Sequence, residues 1–174
     1  ISQFDKPLCV GGKVEIETEE GTKNIGITRI HIEEDAGKLN HDDYGRNSLV
    51  DLNRAGVPLI EIVSEPDLRS SKEVEEYMRK LKSILEYIEV SDCKMQEGSL
   101  RADVNVSVRK KGETKFGTRT EMKNMNSFRS IVRAIDYEAG RQIEELEAGN
   151  KITQETLRWD DISGRTFSMR DKED

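Results

Sequence analysis

Apolar and polar residues alternate near the start of the chain with the period of two that β-strands show. Residues 14–17 and 25–27 have this pattern on either side of Gly21, which predicts a hairpin with its turn at that glycine. The second strand is predicted to continue through residues 30–32 toward an acidic stretch.

The following segment is polar. Residues 39–47 contain one glycine and two asparagines, which predicts a loop. Two further strands are predicted at residues 48–51 and 57–63, with a turn at residues 53–56 between them. Pro58 would then stand near the start of its strand, where a missing N–H does least harm.

Two longer segments have apolar residues at helical spacing. The first runs from residue 71 to about residue 88, and Ser70 followed by Glu73 has the pattern of a capping box. Its apolar positions are Val74, Tyr77, Met78, Leu81, Ile84, Leu85 and Ile88. The second runs from about residue 127 to residue 146 and ends near Gly149. Its apolar positions are Phe128, Ile131, Val132, Ile135, Ala139, Ile143 and Leu146. Both stripes are interpreted as facing the core.

The strictest alternation covers residues 102–108 and predicts another strand. A turn at residues 110–113 leads into a strand from residue 115 to about residue 125, and short strands are predicted near residues 157–160 and 166–169. Strands grouped around two helices, without a regular βαβ repeat, indicate an α+β fold. We expect an antiparallel or mixed sheet and two main amphipathic helices.

Polar side chains share one face of each strand in this predicted hairpin, and alternating apolar residues face the core. The polar positions are Asp103, Asn105 and Ser107 on the first strand, then Arg119, Glu121 and Lys123 on the second. If both sets lie on the same side of the sheet, the hairpin brings acidic oxygens and cations together.

The composition is polar but lies within the range of soluble globular proteins, since 34% of the 174 residues are hydrophobic and 36% are charged. The length predicts one domain, residues 1–174, with a thin core. No apolar run is long enough to span a bilayer and no signal-like leader is present, so we expect a cytoplasmic protein with no membrane partner. Cys9 and Cys93 lie far apart and are expected to be reduced, packed thiols.

The charge and the motifs limit the classes of function. A net charge of −7 argues against a protein that grips nucleic acid by bulk electrostatics, so most of any grip on RNA would lie elsewhere. The sequence contains neither GxxxxGK[ST] nor GxGxxG, the motifs of common phosphate-binding loops. It also has no set of Ser, Cys and His residues that suggests a covalent nucleophile.

Carboxylates mixed with cations are what a site for magnesium and a nucleoside triphosphate needs. The acidic run at residues 33–35 and Glu61, which is unusual within an apolar strand, extend this pattern. Ordinary explanations stand beside it. The acidic run is also typical of a solvated rim, Glu61 could lie on an edge strand or pair with Arg54 or Arg69, and His31 could be packed or solvated as well as a ligand. The residues alone predict an oxygen-lined cation site in an α+β domain.

Five segments together resemble the B-subunit family of the aspartyl/glutamyl-tRNA amidotransferases, in the order that the family shows. They are HIEEDAGK at residues 31–38, SLVDLNR at 48–54, PLIEIVSEPD at 58–67, EGSLRADVN at 97–105 and EMKNMNSF at 121–128. The resemblance covers nearly the whole chain. The archaeal E subunit of a glutamate-specific amidotransferase shares this core and is an alternative. The family's N-terminal strand and its C-terminal helical and tail domains are absent, so the chain is interpreted as an excised central part of the catalytic core, inactive when isolated.

The resemblance implies an ATP-dependent ligase of protein biosynthesis. Such an enzyme uses ATP and Mg²⁺ to phosphorylate the side chain of Glu on tRNA(Gln), or of Asp on tRNA(Asn), and ammonia then displaces the phosphate. Ammonia comes from a glutaminase A subunit, and a small C subunit fastens the heterotrimer. A different class of function, a non-catalytic scaffold that binds a partner subunit, is the alternative.

The resemblance also implies roles for individual residues. The family's metal-binding carboxylates correspond to Glu34, Glu61, Asp103 and Glu121 in this sequence, with Glu33 as the rival of Glu34. Glu34, Asp103, Glu121 and Lys123 are the implied catalytic residues. Ser99, Arg101 and Lys123 are the candidates for contact with phosphate or nucleotide.

Overall fold

The computed structural model describes residues 2–41 and 47–169. The chain divides into two compact units, Ile1–Leu68 and Arg69–Asp174. The first contains a three-stranded and a two-stranded sheet, and the second contains a four-stranded sheet. Helices and antiparallel or mixed sheets confirm the α+β class. The assignment of residues 1–174 to one domain stays a prediction.

The first unit is built on a three-stranded antiparallel sheet. β1 (Cys9–Thr18) and β2 (Gly21–Glu34) form the predicted hairpin. β3 (Lys38–His41) and β4 (Ser48–Asp51) pair only with each other, and β5 (Pro58–Ser64) pairs with the other edge of β2. The sheet order is therefore β1-β2-β5, which makes β5 an edge strand.

Alternation along the hairpin explains the core of this unit. Val14, Ile16, Ile25 and Ile27 are all buried, and Val14 stands directly opposite Ile25 in the ladder. Gly21 begins β2 with a φ of +104°, a conformation that glycine adopts without the steric cost other residues meet.

The prediction of a loop at residues 39–47 is wrong for residues 39–41, which belong to β3. Leu39 pairs with Val50 and Lys38 pairs with Asp51, so ladder hydrogen bonds rather than apolar alternation hold this short strand. Residues 42–46 of the predicted loop lie outside the described residues. The strands predicted at residues 48–51 and 57–63 are confirmed within one residue.

The second unit has two helices and a four-stranded mixed sheet. Its elements are α1 (Ser71–Tyr87), a 3₁₀ turn (Met95–Glu97), β6 (Val104–Val106), β7 (Thr120–Lys123), α2 (Phe128–Glu147), β8 (Thr156–Asp160) and β9 (Arg165–Ser168). The order is β6-β7-β8-β9, and β7 and β8 are parallel strands that α2 connects. α2 packs on the sheet and α1 packs on α2.

Both helices begin at a serine that satisfies an otherwise unpaired backbone N–H. Ser70 Oγ accepts a hydrogen bond from the N–H of Glu73 at 3.1 Å, and Ser127 Oγ accepts one from the N–H of Ser130 at 3.0 Å. The predicted start of α1 is confirmed, and that of α2 is confirmed within one residue.

The buried face of α2 matches the predicted stripe only in part. Ile131 and Ile135 are buried as predicted, but Ile143 and Leu146 are 45% and 47% exposed, and Ile84 and Ile88 at the end of the first helix are exposed too. The other buried positions of α2 form the line Ser130, Ala134, Glu138 and Gln142. Hydroxyl groups of the sheet lie opposite this line and pair with its polar members, which a count of apolar positions does not detect.

The strands at residues 102–108 and 115–125 are shorter than predicted, since only Val104–Val106 and Thr120–Lys123 form ladder pairs. The predicted turn at residues 110–113 is confirmed, because the N–H of Glu113 donates to the carbonyl of Lys110. Beyond Val106, the backbone at Gly117 lies too close to the backbone at Val108 to leave room for a side chain. A Cβ on Gly117 would lie 2.2 Å from the Val108 carbonyl oxygen.

Both cysteines are thiols, but only one of them is packed. Cys93 is buried, whereas Cys9, at the start of an edge strand, is exposed, which corrects the prediction of two packed thiols. Among the described residues no helix has the length and apolarity to cross a membrane.

Candidate functional site

A histidine and two glutamates meet on one face of the β2–β5 ladder. His31 stands directly opposite Glu61, and Glu33 lies two residues farther along β2, hence on the same face. His31 Nε2 lies 3.4 Å from a carboxylate oxygen of Glu61 and 3.7 Å from one of Glu33. One potential ligand atom from each of the three residues lies within 4.8 Å of the other two.

Burial holds the imidazole in place while the carboxylates stay open to solvent. His31 is 1% exposed, and the edge of its ring meets the Phe4 ring at a centroid distance of 6.1 Å. The side chains of Glu33 and Glu61 are 31% and 49% exposed. Among the described residues, Nδ1 of His31 has no hydrogen-bond partner.

The donor set suits a divalent cation. Carboxylate oxygens are the ligands that Mg²⁺ and Mn²⁺ prefer, and an imidazole nitrogen also suits transition metals such as Zn²⁺. We therefore name His31, Glu33 and Glu61 the metal-donor cluster.

The acidic run at residues 33–35 divides among different environments. Glu33 belongs to the metal-donor cluster, whereas Glu34 is exposed and, as the next residue of the strand, points to the opposite face. Asp35 accepts a hydrogen bond from Arg54 Nε at 3.1 Å. The structure thus groups the rival Glu33 with Glu61, and Glu34 as a ligand stays a prediction.

The sequence argument for Glu61 is wrong about burial, although the carboxylate does lie where it could bind a metal ion. The sequence suggests a glutamate inside a buried strand, but β5 is an edge strand and Glu61 is half-exposed. The edge-strand alternative is therefore confirmed, and Arg54 pairs with Asp35 rather than with Glu61.

The second unit has the predicted open face of mixed charge. Asn105 stands opposite Glu121 in the antiparallel β6–β7 ladder. Asp103 and Lys123, one residue beyond the pairing of Val104, form an ion pair. Thr156 Oγ1 on β8 donates to Glu121 Oε2 at 3.2 Å. The prediction that the hairpin places acids beside cations is confirmed.

A pocket of about 470 Å³ opens on this face. Its lining consists of Asn105, Arg119, Glu121, Gln154, Glu155, Thr156 and Met169. Sequence reasoning identifies Asn105, Arg119 and Glu121 but misses Gln154 and Glu155, because they precede a short strand whose parallel pairing with β7 has no local signal.

A buried polar network lies beneath the same two strands. Glu138 is fully buried and accepts hydrogen bonds from Thr120 Oγ1 at 2.8 Å and from two nitrogens of Arg141 at 2.7 and 2.9 Å. Gln142 Nε2 donates to the Val106 carbonyl at 3.1 Å and to Thr120 Oγ1 at 3.0 Å. The network therefore ties α2 to both strands of the open face.

The hydrogen bonds of this network set the charge state of the Glu138 carboxyl. Burial raises the pKa of the Glu138 carboxyl, but hydrogen bonds from Arg141, Thr120 and Gln142 outweigh burial and hold the pKa below its ordinary value of 4.5. The carboxylate is therefore ionised at neutral pH. The one sequence signal for it is the four-residue spacing of Ser130, Ala134, Glu138 and Gln142 on a single helix face.

The hydroxyl of Ser99 is engaged within its own loop. It hydrogen-bonds the Asp92 carboxylate and accepts from the N–H of Lys94 at 3.0 Å. The bond from Ser99 lowers the pKa of Asp92. Arg101 is exposed. Contact of Ser99 or Arg101 with nucleotide stays a prediction.

The four carboxylates named by resemblance belong to different units. Glu34 and Glu61 lie in the first unit, and Asp103 and Glu121 lie in the second. Within each unit the structure brings together one partial set, the metal-donor cluster in one and the open face in the other. Their convergence on a single ion stays a prediction.

Comparison with known proteins gives one consistent group. A family model described as the GatB/GatE catalytic domain matches residues 1–174. Proteins named as the B subunit of aspartyl/glutamyl-tRNA(Asn/Gln) amidotransferase are 67% identical in Caldicellulosiruptor bescii, 63% in Lachnoclostridium phytofermentans and 55% in Brevibacillus brevis. Each match covers 100% of this chain and 36% of the relative, so the chain spans about a third of the length of these relatives.

Proposed function

Because this chain belongs to the GatB/GatE catalytic domain family, we propose that the protein it is part of amidates Glu or Asp carried by a mischarged tRNA. The relatives that carry the B-subunit name support this role over that of the archaeal E subunit. We further propose that it works in the cytoplasm with a glutaminase A subunit, which supplies ammonia, and a small C subunit.

The proposed chemistry converts a poor electrophile into a good one. The γ-phosphoryl group of ATP passes to the side-chain carboxylate, which gives an acyl phosphate and ADP. Ammonia then attacks the acyl carbon. The bond between that carbon and the phosphate oxygen breaks, phosphate leaves with the bonding electrons, the nitrogen loses one proton, and the amide remains. Such a transfer depends mainly on positioning and on neutralisation of phosphate charge.

The residues of this chain fit that requirement in two places. The metal-donor cluster would hold Mg²⁺, which supplies positive charge beside phosphate oxygens when bound. Lys123, kept on the open face by its ion pair with Asp103, is the candidate to contact phosphate, and Glu121 lies beside it on the same face.

One observation carries the proposal: the potential metal donors His31 and Glu33 on β2 and Glu61 on β5 lie within 4.8 Å of one another. The imidazole is buried and its Nε2 is directed at two carboxylates that stay open to solvent, so a cation from solvent could reach all three donors.

Glu33 and Glu34 provide a direct test, because they are adjacent and chemically identical but lie on opposite strand faces. In the complete three-subunit enzyme supplied with ammonium chloride, we expect Glu33→Gln to lower ATP-dependent amidation about 100-fold or more, and excess Mg²⁺ to restore part of it. Glu34→Gln is the matched control and should keep most of the activity. A severe loss in Glu34→Gln with a mild one in Glu33→Gln would reverse the assignment.

A further inference from the structure

The hydroxyl of Thr120 is the point at which the buried polar network meets β7. Thr120 Oγ1 donates to Glu138 Oε1 at 2.8 Å and accepts from Gln142 Nε2 at 3.0 Å. All three residues are fully buried, each with a relative exposure of 0%. A hydroxyl that donates to one partner and accepts from another must point in one direction to satisfy both. The two bonds from α2 therefore fix where the Thr120 side chain lies.

The network holds the neighbouring strands as well. Thr120 pairs with Val106 at one end of the β6–β7 ladder, and Gln142 Nε2 also donates to the Val106 carbonyl at 3.1 Å. Thr166 on β9 donates to Glu138 Oε2 at 3.3 Å. The β6–β7 ladder has three residue pairs, so few hydrogen bonds of its own maintain its register. Bonds from α2 supplement them at the terminal pair.

The next pair of the ladder belongs to the open face. Asn105 stands opposite Glu121, and both side chains line the pocket. Residues 120–123 alternate between buried and partly exposed positions, so Thr120 faces α2 and Glu121 faces the opposite side of the sheet. Because Thr120 and Glu121 are adjacent in the chain, a displacement of the first also displaces the second. The network thus acts on the open face from behind.

Stability alone does not explain why the network is polar. Apolar side chains of similar volume are often as stabilising as a buried ion pair, because both charges of the pair must leave water. Among the described residues, Gln142 Oε1 is buried without a hydrogen-bond partner, which costs free energy. Directional hydrogen bonds provide one defined arrangement of the strands, which apolar contacts define less sharply.

We propose that Thr120 is a positioning residue for amidation, held by Glu138 and Gln142 so that Asn105 and Glu121 keep fixed places on the other face of the sheet. The inference rests on the proposed function and concerns side chains that do not line the pocket themselves. Rates depend steeply on the placement of reacting groups, since an error of about 1 Å can lower a rate about 100-fold. Loss of the network should therefore lower kcat and leave the KM for ATP nearly unchanged.

Thr120→Val and Thr120→Ser test this in the complete three-subunit enzyme supplied with ammonium chloride. Valine keeps the shape of threonine without the hydroxyl, whereas serine keeps the hydroxyl and loses a methyl group, so both weaken the core but only valine breaks the network. We expect Thr120→Val to lower kcat for Gln-tRNA(Gln) formation about 10- to 100-fold with the KM for ATP within about 2-fold, and Thr120→Ser to stay within about 3-fold of the unmodified enzyme. Glutamine hydrolysis in the same samples should not change. Thr114→Val, at an exposed threonine before β7, is the matched control and should leave kcat unchanged.

A purely structural role for Thr120 gives a different pattern. Both variants would then melt at a lower temperature, and kcat per assembled enzyme would stay the same. An unchanged kcat in Thr120→Val, or equal losses of kcat in Thr120→Val and Thr120→Ser, overturns the inference while amidation by the unmodified enzyme persists.

If Thr120→Val does not assemble, Gln142→Met decides the inference by its kcat. This substitution removes the bonds to Thr120 and Val106 together with the unpartnered oxygen, so part of its cost in stability is offset. A lowered kcat with an unchanged KM for ATP supports the inference, and an unchanged kcat overturns it. An unmodified enzyme that makes no amide from Glu-tRNA(Gln) or Asp-tRNA(Asn) with ATP overturns the proposed function instead.

Discussion

Asp103→Asn in the complete enzyme is expected to lower amide formation about 100- to 1000-fold while glutamine hydrolysis continues. Asp103 is a carboxylate of the open face and the ion-pair partner of Lys123. Its neutral isostere removes a negative charge and the ion pair with Lys123, so the charges beside the transferring phosphoryl group would no longer be balanced as before. The measurement is the rate of Gln-tRNA(Gln) formation beside the rate of glutamate release from glutamine.

Two comparisons make this result specific. Ammonium chloride in place of glutamine should not restore Asp103→Asn, because the expected defect lies in activation of the carboxylate and not in the ammonia supply. Asp136→Asn changes an exposed carboxylate on the outer side of α2 and should behave like the unmodified enzyme. Near-normal amidation by Asp103→Asn would remove the open face from the mechanism.

Glu138→Ala is expected to lower the free energy of unfolding of the 174-residue chain by about 3 kcal/mol. The substitution removes the carboxylate that hydrogen-bonds to the guanidinium of Arg141 and removes an acceptor from Thr120 and Gln142, all beneath β6 and β7. Arg141 is 30% exposed, so water compensates part of the loss and the expected value lies at the lower end for buried pairs. Urea denaturation at neutral pH gives the value.

The same variant should change the response to acid. The pKa of Glu138 in the folded chain lies below its ordinary value of 4.5, so its stabilising contribution is complete above about pH 4.5 and is lost as the pH falls through the folded-state pKa. The difference in unfolding free energy between the unmodified chain and Glu138→Ala should therefore shrink below pH 4.5. Glu144→Ala, on the exposed side of α2, is the control and should cost less than about 0.5 kcal/mol at any of these pH values. A loss equal to that control would mean that the network contributes nothing to stability.

Local patterns account for the parts of the fold that the sequence predicts. Alternation with a turn at Gly21 is enough to define the β1–β2 hairpin, and the serine caps with helical spacing define both helices. The pairing of Asp103 with Lys123 also follows, because both positions are fixed by period-two faces and one hairpin.

Long-range pairing explains what the sequence could not reveal. The position of Glu33, rather than Glu34, on the same face as Glu61 depends on the register in which β5 pairs with β2, and no local pattern sets the register between strands separated by more than 20 residues. Glu138 is polar and lies on a helix, so its burial becomes intelligible only when the hydroxyl of Thr120 is known to lie opposite it.

Anomalous diffraction from crystals of the complete enzyme soaked with Mn²⁺ tests the metal-donor cluster most directly, because the peak identifies the ligands without reference to activity. We predict a peak within coordination distance of His31 Nε2 and of the carboxylates of Glu33 and Glu61. A peak coordinated by other residues, or no peak at a Mn²⁺ concentration that supports amidation, would contradict the assignment of the cation to these three side chains.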